Sequence, residues 1–159
     1  QHKWSNGDPV VAADYVRSFQ RLVDPNVASP RANLLQYVFK FAEIIRGDLK
    51  PAAIGVHALD SQTLKIEFTQ KDHEFFHKLS STALYPIHKN HNPDRNSYKS
   101  FVGNGPYKIN SWLEGKEMVL APNTHYTQGH PDRPMVKIHF IDDEMTAFRL
   151  YEKGQLQFL

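Results

Sequence analysis

Residues 103–112 have the sequence GNGPYKINSW. Two glycines and a proline within four positions are typical of a tight turn. From Tyr107 to Trp112 the side chains alternate between two faces, which predicts a strand that leaves this turn. Short helix-like and strand-like segments precede the stretch, and two strand-rich segments and a helix follow it. We therefore interpret the stretch as the crossing between two structural units of an α+β fold.

The composition is that of a folded globular protein, and it argues against several kinds of partner and site. The chain has 159 residues, of which 40% are apolar and 23% charged, as in a folded globular protein. The net charge of +2 comes without a cluster of basic residues, which argues against nucleic acid as a partner. Cysteine is absent, which excludes disulfides, thiolate metal sites and cysteine nucleophiles. The start at Gln1, with neither Met nor an apolar leader, indicates a processed or excised piece.

Hydrophobic periodicity and turn residues predict the elements. Helical spacing of apolar residues predicts helices over residues 11–23, 31–37, 41–46, 73–80 and 144–153. Alternation predicts strands over residues 56–59, 63–68, 107–112, 117–121, 136–141 and 155–159. Asp72 is expected to cap the fourth helix, and Phe75, Phe76 and Leu79 to pack inward from it. The last strand, helix and strand predict a βαβ-like unit, with Ala147, Leu150 and Tyr151 facing inward.

One short motif suggests metal chemistry. Residues 73–77 read HEFFH, which matches the H-E-x-x-H pattern of zinc hydrolases. On a helix, His73 and His77 would lie one turn apart with Glu74 beside them. A third ligand would have to come from His88 or His91, which lie in a polar segment. The alternative interpretation is a solvated helical turn with exposed histidines.

Three stretches, taken in order, resemble the oligopeptide- and dipeptide-binding group of the extracytoplasmic solute-binding proteins of ABC transporters. The first comprises KWSNGDPV at residues 3–10, ADYV at 13–16 and QRLVDP at 20–25. The second comprises ASP at 28–30 and LQY at 35–37. The third is NGPYK at 104–108, followed by Trp112, Leu120, Asn123, Tyr126, the stretch 147–154 and QL at 155–156. One departure is Val11, which replaces the Ser or Thr that usually caps the first helix.

The resemblance implies a fragment of a periplasmic-binding-protein-like fold. Residues 1–102 resemble most of the extra α+β domain of this group. Residues 103–159 resemble part of the first ligand-binding lobe, which is β-rich with one βαβ-like unit. By this resemblance, the second ligand-binding lobe of the family has no counterpart in residues 1–159. Tyr37, in the LQY stretch, is the one position carried over as a candidate ligand-binding residue, and a packed tyrosine is the alternative interpretation of it.

The function implied by the resemblance is capture of oligopeptides outside the cytoplasm and their delivery to an ABC import transporter. The resemblance implies a binding protein and not an enzyme, without a cofactor and without nucleic acid as a partner. It also implies a monomer that contacts the membrane permease of the transporter. The location implied is the periplasm, or the cell surface as a lipoprotein in a Gram-positive host. Alternative ligands within the family are a dipeptide, a murein peptide, haem or a nickel complex. A zinc hydrolase and a signalling or chaperone-like interaction module remain alternatives from other classes.

Overall fold

The computed structural model describes residues 2–91, 98–126 and 134–159. Contacts divide them into two compact units, a first unit of residues 2–3 and 8–91 and a second unit of residues 4–7, 98–126 and 134–159. Helices and strands occur together, so the predicted α+β class is confirmed. Because residues 98–102 belong to the second unit, the turn at Gly103 lies inside that unit rather than at the crossing. The assignment of residues 1–102 and 103–159 to two family domains stays a prediction.

The first unit is built on its longest helix, α1 (Ala12–Leu22). Val11 has no side-chain acceptor, but the buried Asp14 carboxylate accepts the Val11 N–H at 3.0 Å and therefore holds one of the unpaired amides at the helix start. Arg17 Nη1 lies 2.9 Å from the same carboxylate and donates to the Ile87 carbonyl at 2.7 Å. This charged pair ties the start of α1 to a segment 70 residues away along the chain.

The core of the first unit collects apolar residues from most of its elements. They come from α1, from a 3₁₀ helix (Ala32–Leu35), from α2 (Phe41–Ile45), from β1 (Val56–Ala58) and from α3 (Phe75–Lys78). The buried cluster consists of Phe19, Leu22, Val23, Leu35, Val38, Ile44, Ile54, Val56, Phe75 and Leu84. The predicted helix over residues 31–37 is thus a single 3₁₀ turn, and Leu35 and Val38 are buried.

A hairpin and a backbone junction complete the first unit. β1 pairs antiparallel with β2 (Leu64–Ile66), and the Asp60 carboxylate accepts the N–H groups of Gln62 and Thr63 in the turn between them. These hydrogen bonds, that of Gln62 foremost, lower the pKa of Asp60. Beyond the hairpin, three backbone hydrogen bonds of 2.8 to 2.9 Å connect Phe39, Gly55 and Glu67. The Phe39 N–H donates to the Glu67 carbonyl, the Glu67 N–H to the Gly55 carbonyl and the Gly55 N–H to the Phe39 carbonyl. We refer to these three residues as the backbone junction.

The second unit contains an antiparallel sheet in the order β3-β4-β5, formed by β3 (Tyr107–Leu113), β4 (Glu117–Pro122) and β5 (Val136–His139). The buried Asn123 follows β4 and holds the turn before β3. Its side-chain NH₂ donates to the Gly105 carbonyl at 2.8 Å, and its backbone N–H donates to the Pro106 carbonyl at 2.9 Å. Ser5 bonds the same turn, because its N–H donates to the Gly103 carbonyl at 2.7 Å.

The predicted βαβ-like unit is wrong for the described residues. α4 (Glu144–Glu152) follows β5 as expected, but residues 155–159 form no strand. A strand exists only where a neighbour pairs with its backbone groups, and none of the described segments pairs with these residues. Ala147 and Leu150 are half-buried, whereas Tyr151, also expected to face inward, is exposed.

Within residues 2–91, 98–126 and 134–159, no helix has both the length and the apolar character that crossing a membrane requires.

Gly55 provides a test of the junction. A methyl group at this position would place its carbon 2.8 Å from the Phe39 Cβ, closer than carbon atoms pack. We therefore expect Gly55→Ala to lower the free energy of unfolding of the chain by about 1–3 kcal/mol, as overpacking does. Urea unfolding followed by circular dichroism measures the change.

Gly105→Ala is the matched control. Nothing lies within 4 Å of a methyl group placed there, so a change of at most about 0.5 kcal/mol is expected. Equal effects of the two substitutions would contradict the close approach at Gly55.

Candidate functional site

Tyr37, the predicted ligand-binding residue, lies in the first unit between the 3₁₀ helix and the backbone junction. Its carbonyl accepts the Thr69 N–H at 2.9 Å and the Thr69 hydroxyl at 3.2 Å. The next residue, Val38, forms an antiparallel bridge with Phe68. The backbone of Tyr37 is therefore fixed against the segment that follows β2, and its side chain is half-buried.

The Tyr37 ring has a cation beside it. Lys78 Nζ lies 5.5 Å from the ring centroid, within the range of a cation–π contact. The same ammonium lies 2.7 Å from Asp72 Oδ2, and the side chains of Lys78 and Asp72 are only 15% and 5% exposed. A largely buried ion pair thus positions the charge that faces the ring. The arrangement provides an aromatic surface and a paired charge.

The helix that carries Lys78 begins at Phe75, with Glu74 as its N-cap residue and no side-chain cap, so the predicted capping by Asp72 is wrong. The Asp72 carboxylate accepts the Glu74 N–H at 3.1 Å in the turn before the helix. The helix itself, α3, is one turn long, and Phe75 packs its ring edge-on against Phe68 with the centroids 4.8 Å apart. Phe76, expected to pack inward, is 84% exposed, because a single turn directs only one of its residues to the core.

The H-E-x-x-H match does not form the geometry of a zinc site. His73 and Glu74 precede α3, so they do not lie on one helix face with His77, and all three are exposed. No group of three or more His, Asp or Glu side chains suited to a metal ion occurs within residues 2–91, 98–126 and 134–159. The pattern therefore corresponds to the solvated turn that was the alternative interpretation.

His88 was expected in an exposed polar segment, and the structure corrects this. The residue is buried, and its Nε2 lies 2.9 Å from Asp8 Oδ2, while its Nδ1 accepts the Asn90 N–H at 3.2 Å. Lys89 Nζ lies 3.4 Å from the same Asp8 oxygen. Both nitrogens of His88 are thus engaged within the protein.

His91 lies in the same segment. Its pKa is lowered, chiefly because burial disfavours the charged imidazolium and also because the positive charge of Arg21 is nearby.

Sequence reasoning missed the partners of Tyr37 and His88. Lys78 is 41 positions from Tyr37, and Asp8 is 80 positions from His88, so no local spacing predicts either pair. A lysine and an aspartate six positions apart, as Lys78 and Asp72 are, is a common arrangement that singles out neither residue. These contacts follow from the tertiary fold alone.

A family model and individual known proteins match this chain over nearly its whole length, and both indicate the same family. The family model described as "Bacterial extracellular solute-binding proteins, family 5 Middle" matches residues 1–159. The periplasmic oligopeptide-binding protein OppA of Salmonella typhimurium is 35% identical over 162 residues, which cover 97% of this chain and 30% of that protein.

Solved structures agree with the sequence match. The murein tripeptide binding protein MppA of Escherichia coli superimposes with a TM-score of 0.87 at 32% identity, over 98% of this chain and 32% of that one. Haemophilus influenzae OppA in complex with the peptide RPPGFSPFR gives a TM-score of 0.85 at 30% identity, over the same shares. The chain spans about 30% of the length of the curated relatives that it matches.

The ion pair beside Tyr37 yields a test. Lys78→Met would leave the Asp72 carboxylate largely buried without its cation. We expect a loss of about 3 kcal/mol in the free energy of unfolding, since an uncompensated buried charge is costly. Urea unfolding of the chain measures it.

The matched control removes both charges. The double variant Asp72→Asn with Lys78→Met should recover most of the loss, because no unpaired charge remains. A double variant as unstable as Lys78→Met alone would contradict a role of the unpaired charge, because both variants keep an apolar side chain of similar length at position 78.

Proposed function

The chain belongs to the bacterial extracellular solute-binding proteins of family 5, and from this premise we propose that it is part of a protein that captures oligopeptides and delivers them to an ABC import transporter. The observation that carries the proposal is a match along the whole chain to peptide-binding relatives, in both sequence and structure. The protein acts in the periplasm, or at the cell surface as a lipoprotein. It is a monomer and meets the membrane permease of the transporter.

The physical task is to hold peptides of variable sequence. Every peptide shares a backbone and two charged ends, so affinity comes from groups that bind these, while side chains occupy roomy, hydrated pockets. Closure of two lobes around the ligand is a hinge motion, and the closed form is the one that a transporter recognises. Binding of this kind uses neither a nucleophile nor a cofactor.

Tyr37 is the residue of this chain that we propose contacts the peptide. Its half-buried ring and the fixed backbone beneath it support the proposal, because a binding aromatic works best when its position is held by its surroundings. Lys78 lies beside the ring, and its charge is compensated by Asp72. Tyr37 therefore offers an aromatic surface without net charge beside it.

Other ligands of the family remain alternatives. A murein peptide or a dipeptide is held by the same chemistry of backbone and termini. Haem or a nickel complex requires different groups, and the described part of the chain contains no cluster of three or more His, Asp or Glu side chains suited to a metal ion. The exposed positions of His73, Glu74 and His77 give the zinc hydrolase no support.

A calorimetric titration tests the function. A pool of tri- to pentapeptides is titrated into the 159-residue chain and into the longer parent protein. We expect heat of binding from the parent and little or none from the chain, because a peptide enclosed between lobes needs both of them. Absence of binding by the parent would contradict peptide capture, and haem and nickel complexes would be titrated next.

Tyr37 has its own test in the parent protein. Tyr37→Leu removes the aromatic ring that we propose contacts the peptide, and its loss should raise Kd about 2- to 10-fold. Tyr85→Leu, at an exposed tyrosine of the same unit, is the control and should leave Kd unchanged. If Tyr37→Leu also leaves Kd unchanged, Tyr37 is a packed tyrosine and not a ligand-binding residue.

A further inference from the structure

The second unit contains the same reactive pair of residues twice. Asn6 is followed by Gly7, and Asn104 is followed by Gly105. In an asparagine–glycine pair, the glycine nitrogen can attack the side-chain carbonyl carbon of the asparagine, because glycine has no side chain to restrict the backbone. Since the two pairs have the same covalent chemistry, a difference between them in the folded protein has a structural cause.

The nitrogen of the first pair is engaged in a turn. The Gly7 N–H donates to the carbonyl of the buried Trp4 at 2.9 Å. Gly7 has a φ of +91°, and the His125 ring lies 3.4 Å from the position that a Cβ of Gly7 would occupy. Attack by the Gly7 nitrogen would therefore break a hydrogen bond and move a residue that has a ring packed against it.

The nitrogen of the second pair is available. In the described part of the chain, the Gly105 N–H donates to no acceptor. Apart from the neighbouring residues, no described atom lies within 4 Å of the position that a Cβ of Gly105 would occupy. Asn104 and Gly105 are both partly exposed, so water reaches the pair. The attacking nitrogen is thus unhindered at Gly105 and restrained at Gly7.

We propose that Asn104 is a site of spontaneous deamidation and that the turn at Gly7 protects Asn6 from the same reaction. The Gly105 nitrogen loses its proton to hydroxide and forms a bond to the Asn104 Cγ. The bond from Cγ to the side-chain nitrogen breaks, and that nitrogen takes up a proton and leaves as ammonia. Water then opens the resulting cyclic imide at either carbonyl carbon, which yields aspartate or isoaspartate. The reaction requires only this pair and water, so it does not depend on the proposed function.

The reactive asparagine lies between two hydrogen bonds that hold the turn before β3. On one side the Ser5 N–H donates to the Gly103 carbonyl at 2.7 Å, and on the other the Asn123 side chain donates to the Gly105 carbonyl at 2.8 Å. Isoaspartate carries the main chain through its Cβ and Cγ, which adds one carbon between these two carbonyls. We therefore expect conversion to isoaspartate to disturb this turn.

Peptide mapping by mass spectrometry tests the proposal in the longer parent protein. The folded parent is kept in mildly alkaline buffer, and the conversion of residues 6 and 104 is followed with time. We expect Asn104 to convert at least about fivefold faster than Asn6, because release of the Gly7 N–H loses one hydrogen bond. In guanidinium chloride, which unfolds both turns, the two asparagines should convert at similar rates.

Two variants are the controls for the chemistry. Gly105→Ala introduces a methyl group that fits the fold but restricts the backbone beside the attacking nitrogen, and Asn104→Gln moves the side-chain carbonyl out of reach. Both variants should lose most of the conversion at residue 104. The proposal would be overturned if Asn6 converted as fast as Asn104 in the folded parent. It would also be overturned if Asn104 stayed intact for as long as the unfolded protein needs to convert.

Hydrogen exchange measures the effect on the turn. In parent protein that carries isoaspartate at residue 104, the Ser5 amide should exchange at least about fivefold faster than in unconverted protein, because its bond to the Gly103 carbonyl is weakened. Unchanged exchange of this amide would contradict the effect on the turn, even where Asn104 converts as expected.

Discussion

Three segments of the first unit meet at Gly55, where the backbone leaves no room for a side chain. The three amides of Phe39, Gly55 and Glu67 each donate to the next carbonyl, so every polar group at this crowded point is satisfied. The bonded backbones come so close that a methyl group on Gly55 would contact the Phe39 Cβ. This junction fixes residues 37–39 beside residues 67–69 and therefore sets the position of Tyr37. The pairing of Lys78 with Asp72 beside that ring depends on the same arrangement.

The second unit is held by a different kind of interaction. The buried Asn123 satisfies its own side chain and backbone by bonding the turn at Gly105 and Pro106, and its Oδ1 accepts the His125 N–H at 3.0 Å. Hydrogen bonds of a buried amide define a turn sharply but contribute only about 1 kcal/mol each. With little buried apolar surface behind them, they specify the geometry of the sheet more than they stabilise it.

The parts of the fold that sequence predicted are those with a local cause. α1 follows from apolar residues at helical spacing, and the turn between β1 and β2 follows from Asp60, whose carboxylate bonds the next amides. The errors have non-local causes. α3 is short because its neighbours, not its propensity, decide its length. The strand expected over residues 155–159 requires a partner that a single sequence does not reveal. The contacts of Tyr37 and His88 with distant residues likewise had no local signal.

The residues that carry the family resemblance have mostly structural roles in this chain. Trp4 is buried, Ser5 bonds Gly103, and Asn123 bonds Gly105, so the motif near the start and the motif at the turn belong to one hydrogen-bonded arrangement. Asp14, in the first motif as well, bonds the start of α1 and Arg17. These residues fix turns and a helix end, so they act on the backbone and not on a ligand. Motif residues of this kind therefore identify the fold and do not indicate what the protein binds.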